Sequence, residues 1–459
     1  MRVRLRHASS LALILGLCMV LTPPARPQAS AASPLHTEGA NVEGRFSDGS
    51  LWRARVPAAW NGTLLLYSHG YSPSLRAPEL APRGVEDWLL AHGYALAASS
   101  YSSAGWAVAE AVPDQEQLLG EFAARFGTPH STIAWGDSMG GLITTALVES
   151  PGVPIAGGLS ACGSISGTLA MMNTALDGAF AFVMLQAPES GIQLVGVADD
   201  RANTARVADA VAMALQSPAG RARLALAGVL GGLPVWTQPG APPAPGDYDA
   251  QLAQMAQAVA GSLFPPRADQ ERRAGGVLSW NTGIDYARLL RASGRKAWVA
   301  HFYQRAGLDL EADLRRLAAA PRIGASAAAI DYMRQHYSPD AQPRVPFLSL
   351  HTIGDGLTSQ VFQAGYTEAA AHRAAAERYR AVSVSAAGHC AFSAAEYVAA
   401  LQTLEARLRS GRWQVAPGAL NRRAAQTGLG PGRFVSYRPA PLLRACWSTT
   451  PVCAGAPAP

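Results

Sequence analysis

Residues 135–141 read Trp135-Gly136-Asp137-Ser138-Met139-Gly140-Gly141, a Gly-x-Ser-x-Gly run between a short apolar stretch, Thr132 to Trp135, and a helical pattern from Met139 to Val148. A serine attacks an acyl carbon only if its oxygen is held clear of its neighbours and a base takes its proton. A tight turn from strand into helix meets the first demand. Glycines at 136 and 140 remove side chains that would collide across such a turn. The helix N-terminus behind the serine favours the negative charge that develops during attack. A glycine-rich turn with an incidental serine is the competing reading, and the strand-helix context argues against it.

Two more groups stand just past later strand-like runs. Asp355 lies in His351-Thr352-Ile353-Gly354-Asp355-Gly356, after the run 345–351, and His389 lies in Ala387-Gly388-His389-Cys390, after the run 379–385. Loops at the carboxyl ends of strands are where an α/β sheet presents ligand-binding and catalytic groups. Three residues far apart in sequence are therefore expected at one sheet edge, in the order serine, acid, histidine. Asp331 and Asp340 are poorer acids, because they sit in helical or linker surroundings. No His-Glu-x-x-His, Cys-x-x-Cys, Walker loop or dinucleotide fingerprint is found, and chemistry by such a triad needs no cofactor and no metal.

The elements that must position these groups follow an alternating rhythm. Strand-like material runs over 42–56, 64–67, 94–100, 132–135 and 155–160, with helices over 85–91, 113–126 and 139–148. Short apolar strands separated by helices predict a mostly parallel sheet covered on both faces. After Cys162 the pattern turns helical, with helices over 169–185, 204–215, 219–229, 248–263 and 308–319. Strand-helix alternation resumes at 345–351, continues through a helix over 359–378 and the strand 379–385, and ends in a helix over 394–408. Residues 32–162 and 343–409 thus form one sheet domain, 163–342 a helical insertion, and 410–459 a Pro/Gly/Arg-rich tail expected to wrap the surface.

With these motifs in place, the chain resembles the α/β-hydrolase superfamily over roughly residues 42–162 and 343–408. The resemblance implies the α/β-hydrolase fold with a helical lid at 163–342, Ser138 as nucleophile, His389 as general acid and base, and Asp355 as its orienting acid. It also implies an oxyanion hole from the backbone N–H groups of Tyr71, in the His69-Gly70-Tyr71 loop, and of Met139. The pair Tyr71 and Met139 looks like that of secreted cutinase-like polyester hydrolases. His389-Cys390 looks like the His-Cys of the tannase and feruloyl esterase group. That group carries a cysteine before its serine where this chain has Asp137, so its disulfide cannot be carried over. The His69 side chain is read as structural. Trp106 either borders the pocket or packs at the surface. Met171, Met172, Phe180, Phe182 and Met184 read as core more than pocket. Lidded, exported members of the superfamily are most often esterases or lipases, so the expected substrate is a small-molecule or polymeric carboxylic ester. A prolyl-type peptidase is the alternative, with Glu311 and Asp313 as readers of a substrate amine, although solvated helix positions explain both acids better. A hydrolase-like fold used only for binding is a third reading, opposed by the intact triad.

Composition agrees with an exported enzyme. The chain has 459 residues, 49% hydrophobic and 15% charged, which supports a full-sized core and excludes a wholly disordered chain. Arg2, Arg4 and Arg6 precede the apolar run Leu11 to Leu21, and Ala29-Ser30-Ala31 offers a cleavage site, so residues 1–31 read as a secretory signal peptide. Its removal takes Arg2, Arg4, Arg6 and Arg26 from a net charge of +6, so most of the basic excess belongs to targeting. No basic stripe with interleaved aromatics is present, which speaks against a nucleic-acid partner. No later stretch reads as long and apolar enough to span a membrane. In an oxidising compartment the four remaining cysteines favour two disulfides. Cys446 and Cys453 would close a small loop, leaving Cys162 with Cys390, one of three possible pairings. The oligomeric state is not readable from the sequence.

Overall fold

The computed structural model describes residues 39–448 and Cys453. The signal-peptide reading at 1–31 lies outside the described residues. The sheet domain opens with β1 (Ala40–Arg45), β2 (Leu51–Val56) and β3 (Thr63–Ser68), then α1 (Glu86–Ala91), β4 (Ala95–Ser99), α2 (Val108–Phe126), β5 (Ser131–Asp137), α3 (Met139–Glu149) and β6 (Gly157–Ala161). Helices follow: α4 (Thr168–Gln186), α5 (Asp200–Leu215), α6 (Pro218–Leu230), α7 (Tyr248–Leu263), α8 (Ala268–Ala274), α9 (Tyr286–Ala292), α10 (Lys296–Ala306), α11 (Leu310–Ala319) and α12 (Ala327–Tyr337). The chain then returns through β7 (Phe347–Gly354), α13 (Val361–His372), β8 (Tyr379–Ala387), α14 (Ala394–Ser410), α15 (Pro417–Gln426) and β9 (Phe434–Val435).

All nine strands share one sheet in the order β1-β2-β4-β3-β5-β6-β7-β8-β9. The strands from β4 across to β8 are parallel, while β2 and β9 run against them and β1, antiparallel to β2, runs with them. This is the α/β-hydrolase architecture. The central strands are buried on both faces, and the two-residue period of a strand divides their side chains. Leu64, Leu66 and Ala134 pack with α2, α3 and α13, while Leu65, Ile133, Trp135 and Leu350 pack with α1 and α14. The helices between β6 and β7 build a separate apolar cluster around Phe180, Phe182, Leu226 and Trp298. Side chains of Asp199, Ser217, Asp247, Asp285, Asp309 and Ser326 cap six of these helices, each accepting from a first-turn N–H.

Several local expectations need correction. Helix α2 begins at Val108 and carries Pro113 inside it. Burial of Val108 and Ala111 holds a turn that the proline alone would not start. Helices α8, α9, α10 and α12 were not foreseen. Helix α4 is long and apolar enough by composition to cross a membrane, contrary to the sequence reading, but its side chains are almost wholly buried within the protein. The tail does more than wrap the surface. It adds β9 to the edge of the sheet and drives Arg444 into the interior, where Nη1 lies 2.6 Å from the Asp177 carboxylate of α4.

Candidate active site

Ser138 stands between β5 and α3 with φ 57° and ψ −119°, a conformation that L-residues adopt only under constraint from their surroundings. The constraint is visible in the flanking glycines. A Cβ on Gly136 would lie 2.5 Å from the Ser68 carbonyl oxygen, and one on Gly140 would overlap that same oxygen. The turn therefore lies directly against the end of β3, and only glycine fits two residues before and two residues after the serine. Ser138 N–H donates to the Ala161 carbonyl at 2.9 Å, which ties the turn to β6.

The three residues singled out by sequence meet at the carboxyl edge of the sheet. Ser138 Oγ lies 2.8 Å from His389 Nε2, and His389 Nδ1 lies 2.9 Å from Asp355 Oδ2. The loops that carry them are coupled through the backbone, since Gly388 N–H donates to the Gly354 carbonyl at 2.9 Å. Asp355 is fully buried. Its Oδ1 accepts from the Leu357 and Thr358 N–H groups at 2.8 and 2.9 Å. Burial alone would raise this carboxyl, but the charge of His389 and hydrogen bonds from His351 and His389 outweigh it and hold Asp355 well below the usual carboxylate range. Burial likewise opposes the imidazolium of His389, yet the charge and hydrogen bond of Asp355, with a smaller contribution from Asp137, raise its pKa.

Three neighbours escaped the sequence reading. The Thr358 hydroxyl lies 2.7 Å from the Cys162 carbonyl and 3.2 Å from His389 Nδ1. His351 Nε2 lies 2.5 Å from the Thr358 carbonyl, so that nitrogen carries the proton and braces the acid loop. Asp137, next to the serine, accepts from the Tyr397 hydroxyl at 2.8 Å and the Tyr67 hydroxyl at 3.4 Å. Its Oδ1 is buried without a partner. Burial pushes this carboxyl up to about 7 against the pull of Tyr397, His389 and Tyr67. The threonine three residues after Asp355 is a turn signature in hindsight; Tyr67 and Tyr397 carry no such local signal.

The remaining candidates fall as follows. Cys162 is disulfide-bonded to Cys390 with Cα atoms 5.3 Å apart, and Cys446 is bonded to Cys453. The first bridge joins the end of β6 to the residue after His389. The backbone of Gly70 flanks the serine, since a Cβ there would sit 3.8 Å from Ser138 Oγ. Tyr71 is the next residue, half-buried, and Met139 opens α3, where the first-turn N–H groups have no partner within the helix. The His69 ring stacks on Tyr101 at 4.1 Å. Trp106 is buried and donates from Nε1 to Thr168 at 2.9 Å, packing against the start of α4. Glu311 pairs with Lys296, whereas Asp313 is buried between Arg223 and Arg316. Asp313 is therefore an internal ion-pair partner and not the solvated residue expected.

Comparison with known proteins adds to this geometry. No family model matches the chain. The chain is 30% identical over 424 residues to an o-phthalyl amidase of Xanthobacter agilis, covering 84% of this chain and 91% of that enzyme. Among solved structures it is similar to an esterase from Aspergillus oryzae, at 13% identity and a TM-score of 0.39, over 82% of this chain and 80% of that one. It is also similar to a Pyrococcus furiosus esterase, at 11% identity and a TM-score of 0.37, over 82% and 91% of the two chains.

Proposed function

The chain belongs to the α/β-hydrolase superfamily and, within it, to the family of the Xanthobacter agilis o-phthalyl amidase, and from that premise we propose that it is an exported serine hydrolase of carboxylic esters acting through Ser138, His389 and Asp355. The observation that carries the reading is the unbroken line from Oγ to Nε2 and from Nδ1 to Oδ2, at 2.8 and 2.9 Å. Ser138 Oγ attacks the acyl carbon while its proton passes to His389 Nε2. Collapse of the tetrahedral intermediate breaks the bond to the leaving group, which takes that proton. Water, deprotonated by the same nitrogen, then attacks the acyl-enzyme and releases the acid. Asp355 stays ionised throughout and fixes the imidazole with its Nδ1–H toward the carboxylate. The N–H groups of Tyr71 and Met139 receive the oxyanion, and each such donor contributes roughly 3 kcal/mol in the transition state.

The helices of 163–342 serve as the cap of the site. In support, Ser262 at the end of α7 donates to the Leu357 carbonyl at 3.0 Å, so this segment rests on the loop that carries Asp355. Two disulfides support a periplasmic or extracellular location.

A second reading, hydrolysis of an amide, is favoured by the amidase relative. Amides resist attack more than esters because their ground state is resonance-stabilised, so an enzyme that acylates from an amide also acylates from the matching ester. A p-nitrophenyl ester and a p-nitroanilide of the same small aromatic acid separate the readings. Turnover of the ester alone supports an esterase, and turnover of both supports an amidase. Ester turnover unchanged in Ser138→Ala would overturn the proposal.

A further inference from the structure

A cavity of about 280 Å³ lies between the α6–α7 loop, the start of α13 and the tail near Tyr437, and its lining residues Ile353 and Ser359 flank the loop that carries Asp355. Neither Ser138 nor His389 lines it. Its walls are largely apolar and include Trp236, Val235 and Ile353, yet Arg295 and Gln360 also face it.

Arg295 is held in place on one side only. Its Nη1 donates to the Leu233 carbonyl at 2.6 Å and the guanidinium lies over the Trp298 ring at 4.9 Å, while Nη2 is buried without a hydrogen-bond partner. No carboxylate pairs with it among the described residues. Arg295 is half-buried, and the two fully buried arginines among the described residues are arranged differently. Arg444 has Asp177 at 2.6 Å, and Arg267 has Glu271 at 3.3 Å. A guanidinium nitrogen buried without an acceptor is unfavourable, and a ligand anion at Nη2 would remove that penalty.

Two further features converge on the same space. Gln360 is 4% exposed; its Nε2 donates to Ser383 at 2.8 Å, and its Oε1 is buried and unpartnered. Gln360 also precedes α13, whose N-terminus has no side-chain cap. In that first turn Phe362 N–H donates to the Ser359 carbonyl at 3.1 Å, while the remaining N–H groups and the positive end of the helix favour an anion.

We propose that this cavity binds a small hydroxylated carboxylate with an apolar body, its carboxylate held by Arg295 Nη2 and the first turn of α13 and its hydroxyl donating to Gln360 Oε1. An aromatic hydroxy acid has this chemistry, with the ring lying against Trp236 and Ile353. None of Ser138, Asp355 and His389 lines the cavity, so the inference stands whether the substrate proves to be an ester or an amide.

Titration calorimetry of the full-length protein with 4-hydroxybenzoate, benzoate and 4-hydroxybenzamide tests it. The expected result is saturable binding of 4-hydroxybenzoate, about tenfold weaker binding of benzoate, and tenfold to a hundredfold weaker binding of the uncharged amide. Arg295→Met should weaken 4-hydroxybenzoate by the same tenfold to hundredfold and leave ester turnover unchanged. Should that variant fail to fold, the ranking of the three probes on the wild type decides alone. Equal binding of acid and amide, no saturable binding, undiminished binding by a folded Arg295→Met, or strict competition with an ester substrate at the triad would each overturn the proposal.

Discussion

Two carboxylates lie close to Ser138, the buried Asp355 and the half-buried Asp137, and their surroundings drive them in opposite directions. Around Asp355 the loop after β7 supplies two backbone N–H donors, and two imidazoles add their charge and hydrogen bonds. Around Asp137 the aromatic cluster of Tyr67, Trp135 and Tyr397 supplies two phenol hydroxyls and leaves one carboxylate oxygen with no partner. Asp355 and the Oδ1 of Asp137 have lost water. Only Asp355 has its hydration replaced by enough donors and positive charge to stay ionised. The lesson is that burial does not make a triad acid; the donors that replace water do. Asp355 touches the imidazole and holds its tautomer, whereas Asp137 acts on His389 through space.

The largest effect that separates the two regions should come from Asp355→Asn. Loss of the charge and of the correct tautomer is expected to lower kcat about 10⁴-fold with the fold retained, measured on a p-nitrophenyl ester alongside circular dichroism. A fall of less than tenfold would place the triad acid elsewhere. Next is the bridge beside the histidine. Chain-entropy arguments give about 5 kcal/mol for closing a loop as long as that between Cys162 and Cys390 and about 2 kcal/mol for that between Cys446 and Cys453. The Cys162→Ala/Cys390→Ala variant should therefore lose more Tm than Cys446→Ala/Cys453→Ala, and it alone should lose kcat, severalfold. Equal losses in the two variants would sever the link between the first bridge and the position of His389.

Asp137→Asn should have the smallest effect and bears most finely on the comparison. The folded-state pKa near 7 lies above the ordinary carboxylate value. The wild type therefore loses stability as pH rises from about 4 through 7, while the asparagine variant does not. The Tm of the variant relative to the wild type should climb over that interval. Asp355 has the opposite sign: its contribution is present above pH 4 and is lost as pH falls below it. The ionised Asp137 also favours the imidazolium of His389, so its removal should shift the acid limb of kcat/KM downward by a few tenths of a pH unit. A relative Tm that is flat between pH 4 and 8 would show that Asp137 is solvated.

What could be read from the chain follows from how local each signal is. The turn at Ser138 announces itself because glycines 136 and 140 must sit within one turn of it, and Asp355 and His389 announce themselves by following apolar runs. Helix α10 is not legible in the sequence although Trp298, Val299, Phe302 and Tyr303 are buried at helical spacing; the segment is short, and Gly294 stands immediately before its N-terminal Arg295 and Lys296. Arg444 gave no sign of burial, because its partner Asp177 lies in α4 and an isolated arginine in a Pro-rich tail looks solvated. The environment of Asp137 was hidden for the same reason. Tyr67 and Tyr397 reach it from β3 and α14, and no local pattern connects them.

The central claim, that Ser138 is the nucleophile activated by His389, is met most directly by labelling with a fluorophosphonate followed by peptide mass mapping. A single adduct on the peptide carrying Ser138, lost in Ser138→Ala and slowed by orders of magnitude in His389→Ala, is the predicted result. An adduct on any other residue, or labelling of Ser138→Ala at the wild-type rate, would contradict it.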